Sequence, residues 1–450
     1  MPKDRKRLMR DALIFFAGLA LGCCLADDDL AVAREHRSKY PRVQHGYHYY
    51  ISTATTPKAD RETVANALAF MVASTSSQPI IEYCIPVQVS ETLYHIDLRQ
   101  LRWDYREWIH ILKSRYPYYF GDDWPLVVRA DWLLVELSDA EQSDTHYRLL
   151  YGRRVPRTMA DFRKFWKVGE QDKNLFFGMV EGKSGIAKKQ TRWIENLPIL
   201  RGYYWQTKDT LQLDQASDPL DNIDGNFKHD GQEAIAGIPK VSLKTGTRGT
   251  LQVYLLAQGN RNAATADQKV DKADGDLVED YSRFRGKPQV RTAGSCIQCH
   301  ALGINEPTQN ELKEIIRIGV DVFAKGKGLQ ERLELFHLSD VGKEITRNQE
   351  DFADGVKITN GLDPQANGEA FKKAVTNYDK TLTLEDAARE VFATPEELKL
   401  ALAYASQVGQ QRVVRSRLAA LAHGKPMRRE AWEANWRQAF NALLIWRSKK

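Results

Sequence analysis

The chain has 450 residues, 42% of them hydrophobic and 28% charged, with a formal net charge of +6. That balance suits a globular protein with two or three cores and excludes disorder of the whole chain. Residues 1–26 hold five basic and two acidic side chains, so the remainder carries only +3, too weak a field to argue for a nucleic-acid partner.

At the start, Lys3, Arg5, Lys6, Arg7 and Arg10 precede an apolar stretch from Ala12 to Ala26, which ends at Asp27-Asp-Asp29. This pattern predicts a secretory signal peptide over 1–26, cleaved after Ala26. The stretch is shorter than the roughly 20 apolar residues a bilayer span needs. A lipoprotein is the competing reading, with Cys23 of Leu21-Gly22-Cys23 lipidated and the chain tethered at the membrane, and an uncleaved anchor is the third. All three place the mature chain in the periplasm or cell envelope. After cleavage only Cys84, Cys296 and Cys299 remain, which excludes a disulfide framework. Cys84 sits in an apolar strand-like run and reads as a buried, inert thiol.

Residues 27–198 read as an N-terminal mixed α/β domain. Tyr47 to Ala54 alternates as a strand, and Asp60 caps a helix striped by Val64, Leu68, Met71 and Val72. Ile80 to Val89 and Thr92 to Leu98 read as further strands. Asp104 begins a second helix, Leu126 to Leu137 reads as a buried strand, and Thr158 with Asp161 forms a capping box. Residues 199–305 change character to short strands and loops, of which Thr250 to Ala257 is the clearest strand, with a long polar loop over 261–290. From 306 to 450 the pattern is helical. Starts are marked at Asn310, Asp363-Pro364 and Thr394-Pro-Glu-Glu397, and Trp432, Trp436, Phe440 and Leu443 stripe a final helix. The expected fold class is therefore α+β.

One motif carries chemistry, Ser295-Cys-Ile-Gln-Cys-His300. Two thiols three positions apart can each add to a vinyl group on one edge of a porphyrin, and the histidine that follows is then drawn under the iron. In an exported chain this predicts one covalent haem c held by Cys296 and Cys299, with His300 as the proximal iron ligand. A redox disulfide and a zinc site are the alternatives. A zinc site wants four ligands, and the sequence offers one such cluster.

Candidates for the opposite axial position are His229, beside Asp230 in a glycine-containing turn, then His337, His423 and Met427, or an open site. No methionine lies between His300 and Met427, and no helical stripe precedes the motif, so a standard class I cytochrome architecture is not expected. The acidic runs, Asp122-Asp123 and Asp271 to Asp280 among them, lack the spacing of a calcium loop and read as solvated.

Several segments in order resemble an uncharacterised family of secreted single-haem-motif proteins of planctomycete-type bacteria. They are Arg201-Gly-Tyr-Tyr-Trp205, Phe227-Lys-His-Asp-Gly-Gln-Glu233, Gly237-Ile-Pro239, Leu251-Gln-Val-Tyr254 and Gly294 to His300. Ile96-Asp-Leu-Arg99 with Trp103, Arg129-Ala-Asp-Trp132 and Leu382 to Ala388 extend the likeness over most of the mature chain. The resemblance implies export and one c-type haem, and it assigns no reaction. The sequence departs from the family pattern after Pro239, with an inserted Lys240-Val-Ser-Leu-Lys-Thr-Gly-Thr-Arg248.

The expected function is electron transfer at the cell envelope, with haem-attachment machinery and an unidentified redox protein as partners. A haem enzyme or small-ligand sensor with an open sixth position, and a secreted interaction protein with a structural haem, are the competing classes.

Overall fold

The largely buried strands β1 (His48–Ser52) and β3 (Leu93–Asp97) form, with β2 (Val87–Gln88) and β4 (Val127–Arg129), a four-stranded sheet in the order β2-β3-β1-β4. The computed structural model describes residues 24–119, 125–138, 144–169, 176–181, 191–197, 199, 201–210, 228–261, 264, 266–270, 289–305, 338–407 and 418–449. The fold is α+β. In the first sheet β1 runs antiparallel to β3 and parallel to β4. Helices α1 (Cys24–Ser38), α2 (Arg61–Ser74), α3 (Leu98–Leu101) and α4 (Tyr105–Arg115) accompany it. The Asp104 carboxylate caps α4 by accepting from the backbone N–H groups of Arg106 and Glu107.

Two expected strands are corrected. The run Leu126 to Leu137 keeps only three residues as β4 and then turns into a helix, α5 (Ala130–Ser138). Its residues from Trp132 to Ser138 are buried all round, so no polar face betrays the helical period. The run Ile80 to Val89 becomes a 3-10 turn at Ile81–Tyr83 and the two exposed residues of β2. Here the Cys84 thiol turns back to the carbonyls of Gln78 and Ile80, and Pro86 lacks the N–H that a ladder needs. Cys84 itself is fully buried and reduced.

Two helices follow, α6 (Thr145–Tyr151) and α7 (Met159–Trp166), the second opened by the expected Thr158–Asp161 capping box. The second sheet has six strands in the order β10-β9-β8-β7-β6-β5, antiparallel throughout. They are β5 (Phe176–Glu181), β6 (Thr191–Leu197), β7 (Tyr204–Thr210), β8 (Gly231–Val241), β9 (Arg248–Gln258) and β10 (Lys269–Val270). At 11 residues each, β8 and β9 are longer than the short strands expected here.

Nine of the eleven pairs run from Gly231 with Gln258 to Pro239 with Thr250, and Lys240 and Val241 carry the hairpin to its last pair, Val241 with Arg248. Glu82 grips the hairpin tip, accepting from the Ser242 hydroxyl and from the N–H groups of Leu243 and Lys244, and these bonds hold its carboxyl down to about 2 despite the opposing cost of desolvation.

The short helix α8 (Gly294–Cys299) carries the cysteine motif. Beyond it the described chain is helical, as expected: α9 (Leu338–Asn360), α10 (Pro364–Asp379), α11 (Leu384–Glu390), α12 (Pro395–Gln407), α13 (Ala419–Ala422), α14 (Arg429–Glu433) and α15 (Trp436–Arg447). Asp363 caps α10 and Thr394 with Glu397 boxes the start of α12. The final stripe is divided, with Trp432 in α14 and Trp436, Phe440 and Leu443 in α15, and it faces the core. Residues 1–23, the segment from Asn310 to His337 and the acidic runs at 122–123 and 271–280 lie outside the described residues.

One apolar cluster joins Tyr49 and Trp108 near the N-terminus, Tyr254 and Cys296 in the middle and Trp432 and Leu443 at the end. A second cluster, with Tyr147, Phe162, Ala234, Val253 and Leu255, covers the opposite face of the large sheet. A buried ion network ties the helical region to the first sheet. Glu390 at the end of α11 meets Arg129 at 2.6 Å and Arg429 at 2.7 and 2.9 Å, and it accepts from the Trp432 indole at 2.6 Å.

Candidate functional site

The large sheet presents its two faces by simple alternation. Register pairs Glu233 with Leu256 and Ile235 with Tyr254, so these side chains share the face turned to α8, while Ala234, Ala236, Val253 and Leu255 fill the other core. The central strands β7, β8 and β9 are each paired on both sides, which makes them a rigid wall.

Helix α8 is brought onto that wall by its flanks. The backbone N–H of Arg291 donates to the Ser295 hydroxyl at 2.9 Å, and the Thr292 hydroxyl donates to the Val270 carbonyl on β10 at 3.2 Å. The three-residue spacing sets Cys296 and Cys299 on one helical face. Cys296 is buried, Cys299 half-buried, and neither is in a disulfide.

His300 closes the helix at its C-cap, its N–H donating to the Cys296 carbonyl at 2.7 Å. Its ring stacks on Tyr254, centroids 5.6 Å apart and planes 28° from parallel. Nδ1 lies 3.1 Å from the carbonyl oxygen of Gly303. A carbonyl only accepts, so Nδ1 carries a proton toward it, and Nε2 is directed to the far side of the ring.

That far side faces Glu233, whose Oε1 is 3.6 Å from Nε2. Both side chains are almost completely buried, at 7% and 3% exposure. Tyr254 belongs to the same group of residues. Burial above all, then the nearby Cys296, Tyr203, Glu233 and Cys299, push its phenol well above the ordinary value. Its hydroxyl donates to Gln252 at 2.7 Å, and Gln252 in turn donates to the Tyr203 hydroxyl at 2.8 Å.

The loop behind His300 is set by two helices. Gly303 has a φ of +96° and lies against Phe352 of α9, whose Gln349 donates to the Ile304 carbonyl at 2.6 Å. On the other side Gly368 of α10 makes room for Ala301, since a Cβ at 368 would meet the Ala301 methyl at 2.7 Å.

Of the residues singled out in the sequence, Cys296, Cys299 and His300 therefore converge on one wall. His229 stands at the entrance to β8, buried, its backbone N–H bound to the Asn260 side chain at 2.8 Å. Glu233, four residues further on, is the carboxylate beside His300. His423 is exposed and Met427 is bridged to Leu382. His337 lies outside the described residues.

Glu233 and Tyr254 are the site residues that sequence reasoning missed. The period-2 pattern of β8 puts Glu233 and Ile235 on one face. Nothing in one strand says which face a helix from elsewhere will cover.

No group of three or more His, Cys, Asp or Glu side chains among the described residues is arranged to cage a metal ion. No helix among them is long and apolar enough to cross a membrane. No family model, no curated protein and no solved structure matches this chain.

Proposed function

We propose that the chain is an exported monohaem protein of the c type that transfers electrons at the cell envelope. Cys296 and Cys299 would hold one haem through thioethers, and His300 would ligate its iron. The observation that carries this reading is the coincidence of two reduced thiols on one helical face with a buried imidazole whose Nδ1 is already committed to the Gly303 carbonyl. A zinc site would ask for a convergent set of ligands, which the described residues do not offer. The residues present thus fit a porphyrin better than a bare ion.

Haem bound there would supply a one-electron ferrous–ferric couple. The chain's own residues do the rest. The Gly303 carbonyl orients the ring of His300. Tyr254 packs along the imidazole, and with Cys296, Ile297 and Ile304 it keeps water from that side. The sheet wall of β8 and β9 holds these groups still, which limits reorganisation when charge changes.

Export belongs to the same proposal. Asp29 is buried against the first sheet, where it accepts from the hydroxyls of Ser52 and Thr92. Cleavage after Ala26, or lipidation at Cys23, would leave this anchor in place. The resemblance to secreted single-haem-motif proteins points the same way.

The test is to produce the exported chain together with haem-attachment machinery and weigh the mature product. The expected mass exceeds that of the polypeptide by one haem, the colour survives acid extraction, and Cys296→Ala with Cys299→Ala abolishes both. The purified holoprotein should cycle reversibly between reduced and oxidised forms and leave peroxide untouched. A colourless product of bare polypeptide mass would sink the proposal, and rapid peroxide turnover would replace electron transfer by enzyme chemistry.

A further inference from the structure

We infer that Cys84 and Lys240 form a modification site, at which a peroxide joins the thiol sulfur to the side-chain amine in a reversible sulfenamide that fastens the large sheet to the segment following α2. The site is independent of the haem reading. It uses a buried thiol and a buried amine for which the proposed electron transfer has no role.

Cys84 reads as inert in the sequence because its neighbours along the chain are apolar. The fold brings Lys240 of β8 against it from 156 residues away. Both side chains are buried, Cys84 completely and Lys240 to 2% exposure. The Lys240 nitrogen contacts the Ser76 carbonyl at 2.7 Å, the Gln78 carbonyl at 2.8 Å and the Cys84 sulfur at 3.7 Å. A carbonyl only accepts, so two N–H bonds point at the carbonyls whether or not the amine is charged. The sulfur therefore faces the third N–H of the ammonium, or the lone pair of the neutral amine. Burial above all lowers Lys240 to about 8, with Arg102 adding to the lowering and Cys84 opposing it, so the neutral form is accessible in mildly alkaline solution.

The steps balance. The neutral amine takes the thiol proton, and the sulfur anion attacks one oxygen of the peroxide. The O–O bond breaks, the ammonium returns its proton to the departing oxygen, and Cys84 is left as a sulfenic acid. The lone pair of the amine then attacks the sulfur, the S–O bond breaks, and the leaving hydroxide takes a proton from the nitrogen. Sulfur has given up two electrons, hydrogen peroxide has become two waters, and the protein has lost two hydrogen atoms.

A sulfenic acid condenses with whichever nucleophile stands beside it. Cys296 and Cys299 belong to α8. The Ser76 hydroxyl, 3.6 Å from the sulfur, is bound to the Leu101 carbonyl at 2.7 Å and is the weaker nucleophile, which leaves the amine. Tyr83, next in the chain, is 40% exposed, so the sulfur lies just beneath the surface for an oxidant little larger than water. The two segments are already latched, since the N–H of Val241 donates to the Pro79 carbonyl at 2.8 Å and Val241 bridges Ile80. An S–N bond makes that latch covalent until a thiol reduces it.

The experiment treats the mature chain with hydrogen peroxide, blocks the remaining thiols, digests the product with trypsin and maps it by mass spectrometry, for wild type, Cys84→Ser and Lys240→Arg. Wild type should yield two peptides joined through residues 84 and 240, at their summed mass less two hydrogen atoms. The yield should rise as the pH passes through about 8, and a thiol reductant should separate the pair. The linked chain should unfold at a higher urea concentration than the untreated chain, and reductant should reverse that shift. Neither variant should give the pair. Recovery of Cys84 as a free thiol, or as a sulfinic or sulfonic acid with Lys240 still open to trypsin, would overturn the inference. So would a joined pair that retains an oxygen atom, and the wild-type map decides even if a variant fails to fold.

Discussion

Removing the carboxylate of Glu390 should cost this fold more than any comparable surface change. Its two oxygens sit between the guanidinium groups of Arg129 and Arg429, at 2.6 to 2.9 Å, and also take the Trp432 indole proton. Arg129 would keep Asp131 as a partner, but the Arg429 side chain, 4% exposed, would lose its carboxylate. Stripping one member from a buried ion pair costs about 3–5 kcal/mol, mostly the burden of the charge left behind. A buried donor deprived of its acceptor costs about 1–3 kcal/mol. The two losses overlap, so about 4 kcal/mol is expected for Glu390→Ala, a large share of the roughly 5–15 kcal/mol that holds typical domains together. Urea unfolding followed by tryptophan fluorescence is the direct assay, since Trp432 and Trp436 both donate to Glu390. The paired change Glu390→Leu with Arg429→Met should cost less than Glu390→Ala alone, because it leaves fewer charges uncompensated. A loss below about 1 kcal/mol for Glu390→Ala, or a double variant worse than the single, would refute the reasoning.

Acid should loosen the contact of α1 with the first sheet. His95 is lowered to about 4 by burial and then by the nearby His48 and His36, and His146 is lowered to about 4 by burial. The unfolded chain then binds more protons than the folded one between about pH 6.5 and pH 4, so stability is full above that window and falls through it. Unfolding midpoints measured from pH 7.5 to 4.5 should show this slope, and His95→Gln should flatten it. Lys240→Met should destabilise by about 2–4 kcal/mol, because the ammonium that donates to the carbonyls of Ser76 and Gln78 at 2.7 and 2.8 Å is removed from a buried site. Urea titration of the purified variant reads this loss. Gly355→Ala should lift α9 from β9, since a Cβ at 355 would come within 2.0 Å of the Thr250 carbonyl oxygen. Faster hydrogen exchange in β9 and around Gly303 is the expected readout.

The helix starts were legible because their chemistry is local. Asp104, Thr158, Asp363 and Thr394 satisfy backbone N–H groups within three residues, and each does so in the fold. The stretch from Leu126 to Leu137 was misread for the opposite reason. Its helix is enclosed on all sides, so hydrophobicity carries no period, and the deciding partners of Arg129 lie at Asp131 and at Glu390, far along the chain. The length of β8 and β9 was hidden likewise. The tip of their hairpin is caught by Glu82, 160 residues away, and Lys240 reaches carbonyls in the segment that follows α2.

The candidate site divides along the same line. Cys296, Cys299 and His300 could be read as a unit because covalent attachment constrains neighbours in sequence, and one turn of helix is enough to align them. What faces His300 is a property of the sheet register. Shifting β8 by one residue against β7 and β9 would replace Glu233 by Gln232 or Ala234 on that face and put the carboxylate into the opposite apolar core. The acidic group is therefore held in place by strand pairing, and the imidazole by a carbonyl fixed through α9.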